Sequence, residues 1–171
     1  MSLESVKAHF KYWNREVDMM VFQSSSATVE QAAETIGVIP ARIAKTLSFR
    51  GENDQAILVV AAGDAKIDNK KFRQAFNFKA HMLSPEEVLE QTGHEIGGVC
   101  PFGLANDLKV YLDVSLKRFD TVFPACGSTN SAIELTCDEL YEFSAAVEWV
   151  DVCKGWTEEE QEPEAISSRS K

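Results

Sequence analysis

The sequence Gly97-Gly98-Val99-Cys100-Pro101-Phe102-Gly103 is the stretch around which the rest of the chain is most easily understood. Its three glycines and one proline oppose a helix, and the proline also removes a hydrogen-bond donor from a strand. Such a run favours a tight turn whose backbone N–H groups a ligand can approach without side chains in the way. We predict a loop here, which is either an ordinary connection or part of a binding site.

Length and composition predict one globular domain. The chain has 171 residues, of which 44% are hydrophobic and 26% are charged, as is typical of soluble globular proteins. No apolar run approaches the ~18 residues of a membrane span, and residues 1–7 lack the basic-then-apolar pattern of a signal peptide. We expect one domain over residues 1–154, a disordered acidic tail over residues 155–171, and a cytoplasmic location.

The charge balance limits the partners of the protein. Lys and Arg together number 17 and Asp and Glu 27, which gives a net charge of −10. Binding long nucleic acid by neutralising its phosphates needs a basic surface. Any contact with nucleic acid should therefore be local, or assisted by another protein. The four cysteines and three histidines form no metal-ligand spacing, so we expect reduced thiols, no metal and no cofactor.

A lysine lies within an apolar segment that precedes the glycine loop. If residues 43–50 form a strand, the period of two places Lys45 on the same face as Leu47 and Phe49. Burial of an ammonium group is costly, so this lysine either extends its charge to solvent or has a function. The apolar run 56–62 follows a turn and predicts the second strand of a hairpin.

The remaining segments predict a mixed α+β domain. Three helices begin with a capping box, in which a hydroxyl and a Gln or Glu three residues later bond each other's backbone N–H. These pairs are Thr28 with Gln31, Ser84 with Glu87, and Thr136 with Glu139. An extended segment at residues 121–125 ends in a second tight turn at residues 126–130.

In order and spacing, three of these features resemble the YbaK/ProX family of aminoacyl-tRNA deacylases, which includes the editing domain inserted in bacterial prolyl-tRNA synthetases. They are Lys45 within residues 42–47, the loop at residues 97–103, and Gly127-Ser128. The resemblance covers residues 20–153. It implies a single α+β domain with a mixed, curved β-sheet and surrounding helices. Members of the family hydrolyse amino acids wrongly attached to tRNA, often as free-standing proteins that act in trans.

The resemblance also implies the site residues. The family's lysine corresponds to Lys45, and its two glycine turns correspond to those at Gly98 and Gly127, so these three residues are expected to be catalytic. The expected substrate contacts are Thr46, Pro101, Phe102, Gly103, Asp113 and Ser128. We expect backbone N–H groups of the two turns to stabilise the oxyanion. Lys45 either positions the substrate electrostatically, the role we favour, or acts as a base with a lowered pKa. The resemblance implies that the 2′-hydroxyl of the substrate helps to activate water.

The implied substrate is a mischarged aminoacyl-tRNA, bound through its CCA end. Small acyl groups such as Ala, Cys, Ser or Thr are expected, with tRNA for proline as the carrier. A synthetase or an elongation factor is a further candidate partner, whereas a membrane and DNA are not expected. Two alternatives stay open, namely a module that binds the aminoacylated CCA end without cleaving it and a cysteine hydrolase that uses Cys100 with His94. Many relatives have serine at the position of Cys100, which argues against a nucleophilic thiol.

Overall fold

A computed structural model describes residues 2–158 of the chain. Within that range the helices are α1 (Ser2–Lys11), α2 (Val29–Ile36), α3 (Asn69–Phe76), α4 (Pro85–Thr92) and α5 (Cys137–Phe143). The strands are β1 (Met20–Val21), β2 (Ile43–Arg50), β3 (Ala56–Ala62), β4 (Lys66–Ile67), β5 (Lys109–Asp113), β6 (Thr121–Pro124), β7 (Ser131–Ala132), β8 (Leu135–Thr136), β9 (Glu148–Val150) and β10 (Cys153–Lys154).

Six strands form one curled mixed sheet in the order β8–β6–β2–β3–β5–β9. The hairpin of β2 and β3 is antiparallel and is paired from Ala44 with Ala62 to Arg50 with Ala56. On its two sides β6 and β5 run parallel to the hairpin strands that they join. The predicted α+β class with a mixed sheet is confirmed.

The centre of the sheet is the core of the domain. Every residue of β3 is buried, as a continuous apolar strand with neighbours on both edges should be. Aromatic pairs extend this core, with Phe49 next to Phe72 and Phe10 next to Phe102. In the described part of the chain, no helix has the length and apolar character needed to cross a membrane.

The predicted capping boxes are present at the starts of α2, α4 and α5. Two strand predictions were partly wrong. The sequence predicts a strand over residues 17–23, after α1, but only Met20–Val21 form one, because residues 16–18 form a 3-10 turn. The sequence also predicts one strand over residues 131–135, but this segment forms two short strands, since β7 pairs with β1 whereas β8 pairs with β6.

The chain continues to contact the domain after β10. Strand β10 pairs with β4, and the Trp156 ring lies beneath the Arg118 guanidinium, 4.8 Å from its central carbon. The rest of the acidic tail, residues 159–171, lies outside the described residues.

Candidate active site

A cavity of about 280 Å³ opens beside the free edge of β2. Strand β6 pairs only with Ile43 and Ala44, and the next neighbour on that edge is the bridge from Phe49 to Met82. The intervening residues 45–48 line the cavity, so the gap in the sheet is one of its walls. The other walls come from the chain before α2, from β6 and β7, and from the glycine loop.

Backbone groups of β2 point into this gap. The Arg50 amide donates to the His81 carbonyl at 2.8 Å, and the Ser48 carbonyl accepts from the Leu83 amide at 3.2 Å, both across the same edge. Because alternate residues of a strand direct their N–H and C=O groups to the same side, those of Thr46 also face the cavity. A ligand in the cavity therefore meets a backbone donor and a backbone acceptor.

Lys45 lies at the base of this edge with its ammonium held by the following turn. Its Nζ donates to the Ala65 carbonyl at 2.5 Å and to the Gly63 carbonyl at 3.3 Å. Burial lowers the pKa of the Lys45 ammonium from its ordinary value, against the opposing effect of nearby acidic groups such as Asp64. An ammonium has three donors, so one remains for a ligand.

Thr46 adds a polar group without a partner. Its Oγ1 is buried and makes no hydrogen bond within residues 2–158. Buried hydroxyls are nearly always bonded, and the exceptions mark places where a ligand or a water completes the bonding. Since Thr46 lines the cavity, a bound molecule is the natural partner of this hydroxyl.

The structure brings the two glycine turns into contact. A Cβ atom added to Gly98 would lie 2.8 Å from the Ser128 amide nitrogen and 2.9 Å from the Gly127 carbonyl carbon. Only glycine therefore allows this approach. The Ser128 hydroxyl donates to Asn130 Oδ1 at 2.9 Å and accepts from the Ser131 hydroxyl at 2.7 Å, which fixes the second turn.

The amide of Gly98 is already bonded. It donates to the Glu95 carbonyl at 2.9 Å, within its own turn. The neighbouring residues Gly97 and Val99 line the cavity, and their amides donate no hydrogen bond within residues 2–158. Gly98 thus shapes the site by its lack of a side chain, while its neighbours carry the free donors.

The second half of the loop faces away from the cavity, towards α1. Phe102 is fully buried with its ring centroid 4.6 Å from that of Phe10, and a Cβ at Gly103 would meet the Ser5 carbonyl at 2.7 Å. The Gly103 amide donates to His9 Nδ1 at 3.2 Å. Neither Pro101 nor these two residues line the cavity.

Asp113 is likewise away from the cavity lining. It is fully buried, and its carboxylate accepts from the Ser115 amide at 2.9 Å and from the Val152 amide at 2.8 Å. It caps the 3-10 turn Val114–Arg118 at the end of β5. Of the nine predicted site residues, two, Lys45 and Thr46, line the cavity. Three more, Gly98, Gly127 and Ser128, lie where the two glycine turns meet, next in sequence to the lining residues Gly97 and Val99.

Cys100 and His94 do not form a nucleophilic pair. Cys100 is fully buried, and burial raises the pKa of its thiol to about 12. His94 Nε2 lies 3.7 Å from the sulfur but 2.8 Å from the Phe102 carbonyl, which can only accept. Nε2 therefore carries a proton and cannot take one from the thiol. Within residues 2–158, no group of three His, Cys, Asp or Glu side chains could hold a metal ion.

Sequence reasoning missed the apolar rim of the cavity. Met82 and Ile96 line it and are 61% and 58% exposed. Each stands alone in an irregular segment, so no periodic pattern marked them. Exposed apolar side chains at the mouth of a cavity are suited to contact a flat, apolar ligand surface such as a base.

Comparisons with known proteins agree on one class. Residues 23–143 match the model of the aminoacyl-tRNA editing domain. A Bacillus subtilis protein, the uncharacterised YwhH, is 76% identical over 91% of this chain and 99% of its own length. EbsC of Enterococcus faecalis, named as a proposed Cys-tRNA(Pro)/Cys-tRNA(Cys) deacylase, is 29% identical over 66% of this chain and 70% of its own length. A crystal structure described as a proposed trans-editing enzyme for prolyl tRNA synthetase is 29% identical, covers 90% of this chain and 98% of its own, and has a TM-score of 0.81.

Proposed function

Because the chain belongs to the aminoacyl-tRNA editing domain family, we propose that it is a deacylase that hydrolyses mischarged aminoacyl-tRNA in trans. The observation that carries this proposal is the cavity at the open edge of β2. There Lys45 and Thr46, whose hydroxyl has no partner within residues 2–158, line one small space together with Gly97 and Val99 of the glycine loop.

Lys45 supplies positive charge to the substrate. Two of its three N–H donors bond the Gly63 and Ala65 carbonyls of the turn after β3. Because these two bonds fix the orientation of the ammonium, they also fix the direction of the third N–H. This donor binds either the terminal phosphate or the carbonyl oxygen of the ester. A partly desolvated ammonium attracts such an oxygen more strongly than one in water.

The glycine loop supplies the oxyanion donors. When water attacks the ester carbonyl, negative charge develops on the carbonyl oxygen, and preorganised N–H groups stabilise it. The amides of Gly97 and Val99 are the candidates, and Gly98 and Gly127 allow the two turns to pack closely enough to fix them. One such donor contributes about 3 kcal/mol in comparable sites.

The ester is already activated, so the protein needs no strong base. The 2′-hydroxyl of the terminal ribose assists the attacking water, and the proton passes to the leaving 3′-oxygen. The Thr46 hydroxyl and the edge of β2 then hold the amino group or the ribose, which positions the ester for attack.

The substrate is an amino acid with a small side chain, such as Ala, Cys, Ser or Thr, on a tRNA such as that for proline. The cavity of about 280 Å³ supports this choice, because apolar residues such as Phe123 and Ala132 limit the room for the acyl group. The protein acts in the cytoplasm, where a synthetase or an elongation factor presents the CCA end.

A module that binds the aminoacylated CCA end without cleaving it is the second candidate. The engagement of the Gly98 amide by the Glu95 carbonyl favours it, because one backbone donor of the loop is unavailable to an oxyanion. The deacylase remains the first candidate, since the neighbouring amides are free.

The test is deacylation of a panel of mischarged tRNAs by wild type, Lys45→Ala and the control Lys79→Ala, which changes an exposed lysine outside the cavity. The panel contains Ala- and Cys-tRNA for proline, together with Ser- and Thr-charged species. We expect hydrolysis of one or two members, at least ~100-fold slower in Lys45→Ala and unchanged in the control. Binding of the panel without hydrolysis of any member would leave only the binding module.

A further inference from the structure

We propose that Arg118, Asp64 and Trp156 are positioning residues that hold the Lys45 ammonium in place; the inference rests on the proposed function. None of the three lines the cavity. They form a connected set of contacts that runs from the end of the described chain to the turn that binds Lys45. This assigns a role to the segment that follows β10.

The first contact is between Lys45 and the turn after β3. Its Nζ bonds the carbonyls of Gly63 and Ala65, on either side of Asp64. The ammonium therefore has a defined position only if this turn has one. A Cβ at Gly63 would collide with the Pro40 carbonyl, so the turn is pressed against the chain before β2 on one side.

The second contact fixes the other side of the turn. Asp64 accepts two parallel hydrogen bonds from Arg118, at 3.0 Å from Nη1 and 2.7 Å from Nη2. The Arg118 side chain is only 1% exposed, whereas the Asp64 side chain is 25% exposed. A two-bond pair of this kind fixes orientation as well as distance, which a lysine could not do.

Arg118 is itself held on three sides. Its Nε donates to the Ser115 carbonyl at 2.9 Å and its Nη1 to the Thr157 carbonyl at 3.1 Å. Its guanidinium lies over the Trp156 ring, with 4.8 Å between its central carbon and the ring centroid. Residues 156–157 thus fix the position of Arg118, which in turn fixes the turn that contains Asp64.

Asp113 and Ser115 add further hydrogen bonds to the contacts of Asp64, Arg118 and Trp156. We call this set of five residues the brace. The Ser115 hydroxyl accepts from the Ala62 amide at 3.1 Å, directly before the turn. Asp113 binds the amides of Ser115 and Val152, and so joins the 3-10 turn to the strand that leads to Trp156. The fully buried Asp113, which the sequence suggested as a substrate contact, acts here through Lys45 rather than on the substrate.

The test compares Arg118→Met and Trp156→Leu with a matched control, Arg15→Met. Arg15 also makes two ion pairs, to Asp18 at 2.6 Å and to Glu139 at 2.8 Å, but does not line the cavity or contact the turn. In the substrate-free protein, hydrogen exchange of residues 62–67 should become faster in the two brace variants and stay at the wild-type rate in Arg15→Met. This hydrogen-exchange measurement needs no deacylase activity, and its outcome does not depend on the proposed function.

On a hydrolysed tRNA, we expect kcat of both brace variants to fall by about 10- to 100-fold while KM changes less than about 3-fold. In the Lys45→Ala background, Arg118→Met should cause no further loss, because a positioning residue acts only through the group that it positions. Additive losses, or exchange of residues 62–67 that matches the wild type, would overturn the inference. A wild type that hydrolyses no substrate would refute the deacylase, and the exchange measurement alone would then decide the brace.

Discussion

At the scale of single residues, Lys45 shows how partial burial prepares an ammonium group for a binding role. The residues two positions away on the strand, Ile43 and Leu47, are apolar, and the Lys45 ammonium bonds two carbonyls rather than a carboxylate. Carbonyls orient the charge without neutralising it, so it stays available to an anionic or polar substrate group. The sequence pattern left two options, a lysine that extends its charge to solvent or one with a function, and the turn that receives the ammonium could not be predicted from the pattern.

The sign of the pH dependence separates two roles for Lys45. Burial lowers the pKa of this ammonium, whereas Glu30 and Asp64 oppose the shift and Lys66 adds to it. Cys153, which also faces it, stays neutral because burial raises the pKa of its thiol. If the ammonium acts by charge, deacylation is full at pH values below its pKa and falls as the pH rises through it.

The measurement is the single-turnover rate from pH 6 to pH 9.5, corrected for spontaneous hydrolysis. Lys45→Arg is the control, because a guanidinium stays charged throughout and should abolish the fall. A rate that rises through the same range in wild type would instead indicate a lysine acting as a base.

Cys100 should be dispensable for catalysis. Its thiol is buried, and it donates to the Phe102 carbonyl at 3.6 Å, a bond that a serine hydroxyl can also make. We expect the deacylation rate of Cys100→Ser to stay within about two-fold of the wild-type rate. We also expect the deacylation activity of the wild type to resist treatment with iodoacetamide. Loss of activity in a folded Cys100→Ser protein would restore the thiol mechanism.

At the scale of elements, the glycine loop combines two functions that the sequence did not separate. Its first half, residues 97–99, faces the cavity and the second glycine turn, whereas its second half packs on α1. The sequence predicted the loop, because glycine and proline exclude regular structure locally. It could not predict which half faces the substrate, because that depends on contacts with helix α1, about ninety residues earlier in the chain.

Gly98→Ala tests the contact between the two turns. Gly98 has an ordinary backbone conformation, but its Cβ would overlap the backbone of Ser128. We expect a loss of about 2 kcal/mol in the free energy of unfolding and at least ~100-fold lower deacylation.

The control for this prediction is Gly37→Ala. Gly37 has a φ of +89°, yet a Cβ there meets nothing within 4 Å. Its substitution should cost about 1 kcal/mol from backbone strain and leave the deacylation rate unchanged. Equal losses of activity in both variants would show that Gly98 contributes stability alone.

At the scale of the whole molecule, fold class and charge could be predicted from the sequence. The long-range contacts that hold the candidate site together could not. The hairpin of β2 and β3 follows from two adjacent apolar segments and a turn, and its prediction was confirmed. The ion pair of Arg118 and Asp64 joins residues 54 positions apart, and no local pattern links the two. Long-range polar pairs of this kind carry no local signal.

The net charge of −10 predicts a small footprint on tRNA. If only two or three phosphates of the CCA end are contacted, the slope of log affinity against log salt should be about −2. Lys45→Met should reduce the slope by about 1 if the ammonium binds a phosphate, and Lys79→Ala should leave it unchanged. Affinity for a non-hydrolysable aminoacyl-tRNA analogue at several salt concentrations measures both. A slope steeper than about −6 would contradict a local contact.

The late position of Trp156 in the chain has a consequence for protein synthesis. Translation delivers Lys45 and its turn first, then Arg118, and the ring that lies beneath Arg118 only near the end. A nascent chain that stops before Trp156 lacks the completed brace, although its sheet strands have already been made. The turn that holds Lys45 would thus be fixed only after residues 156 and 157 have been translated and have left the exit tunnel.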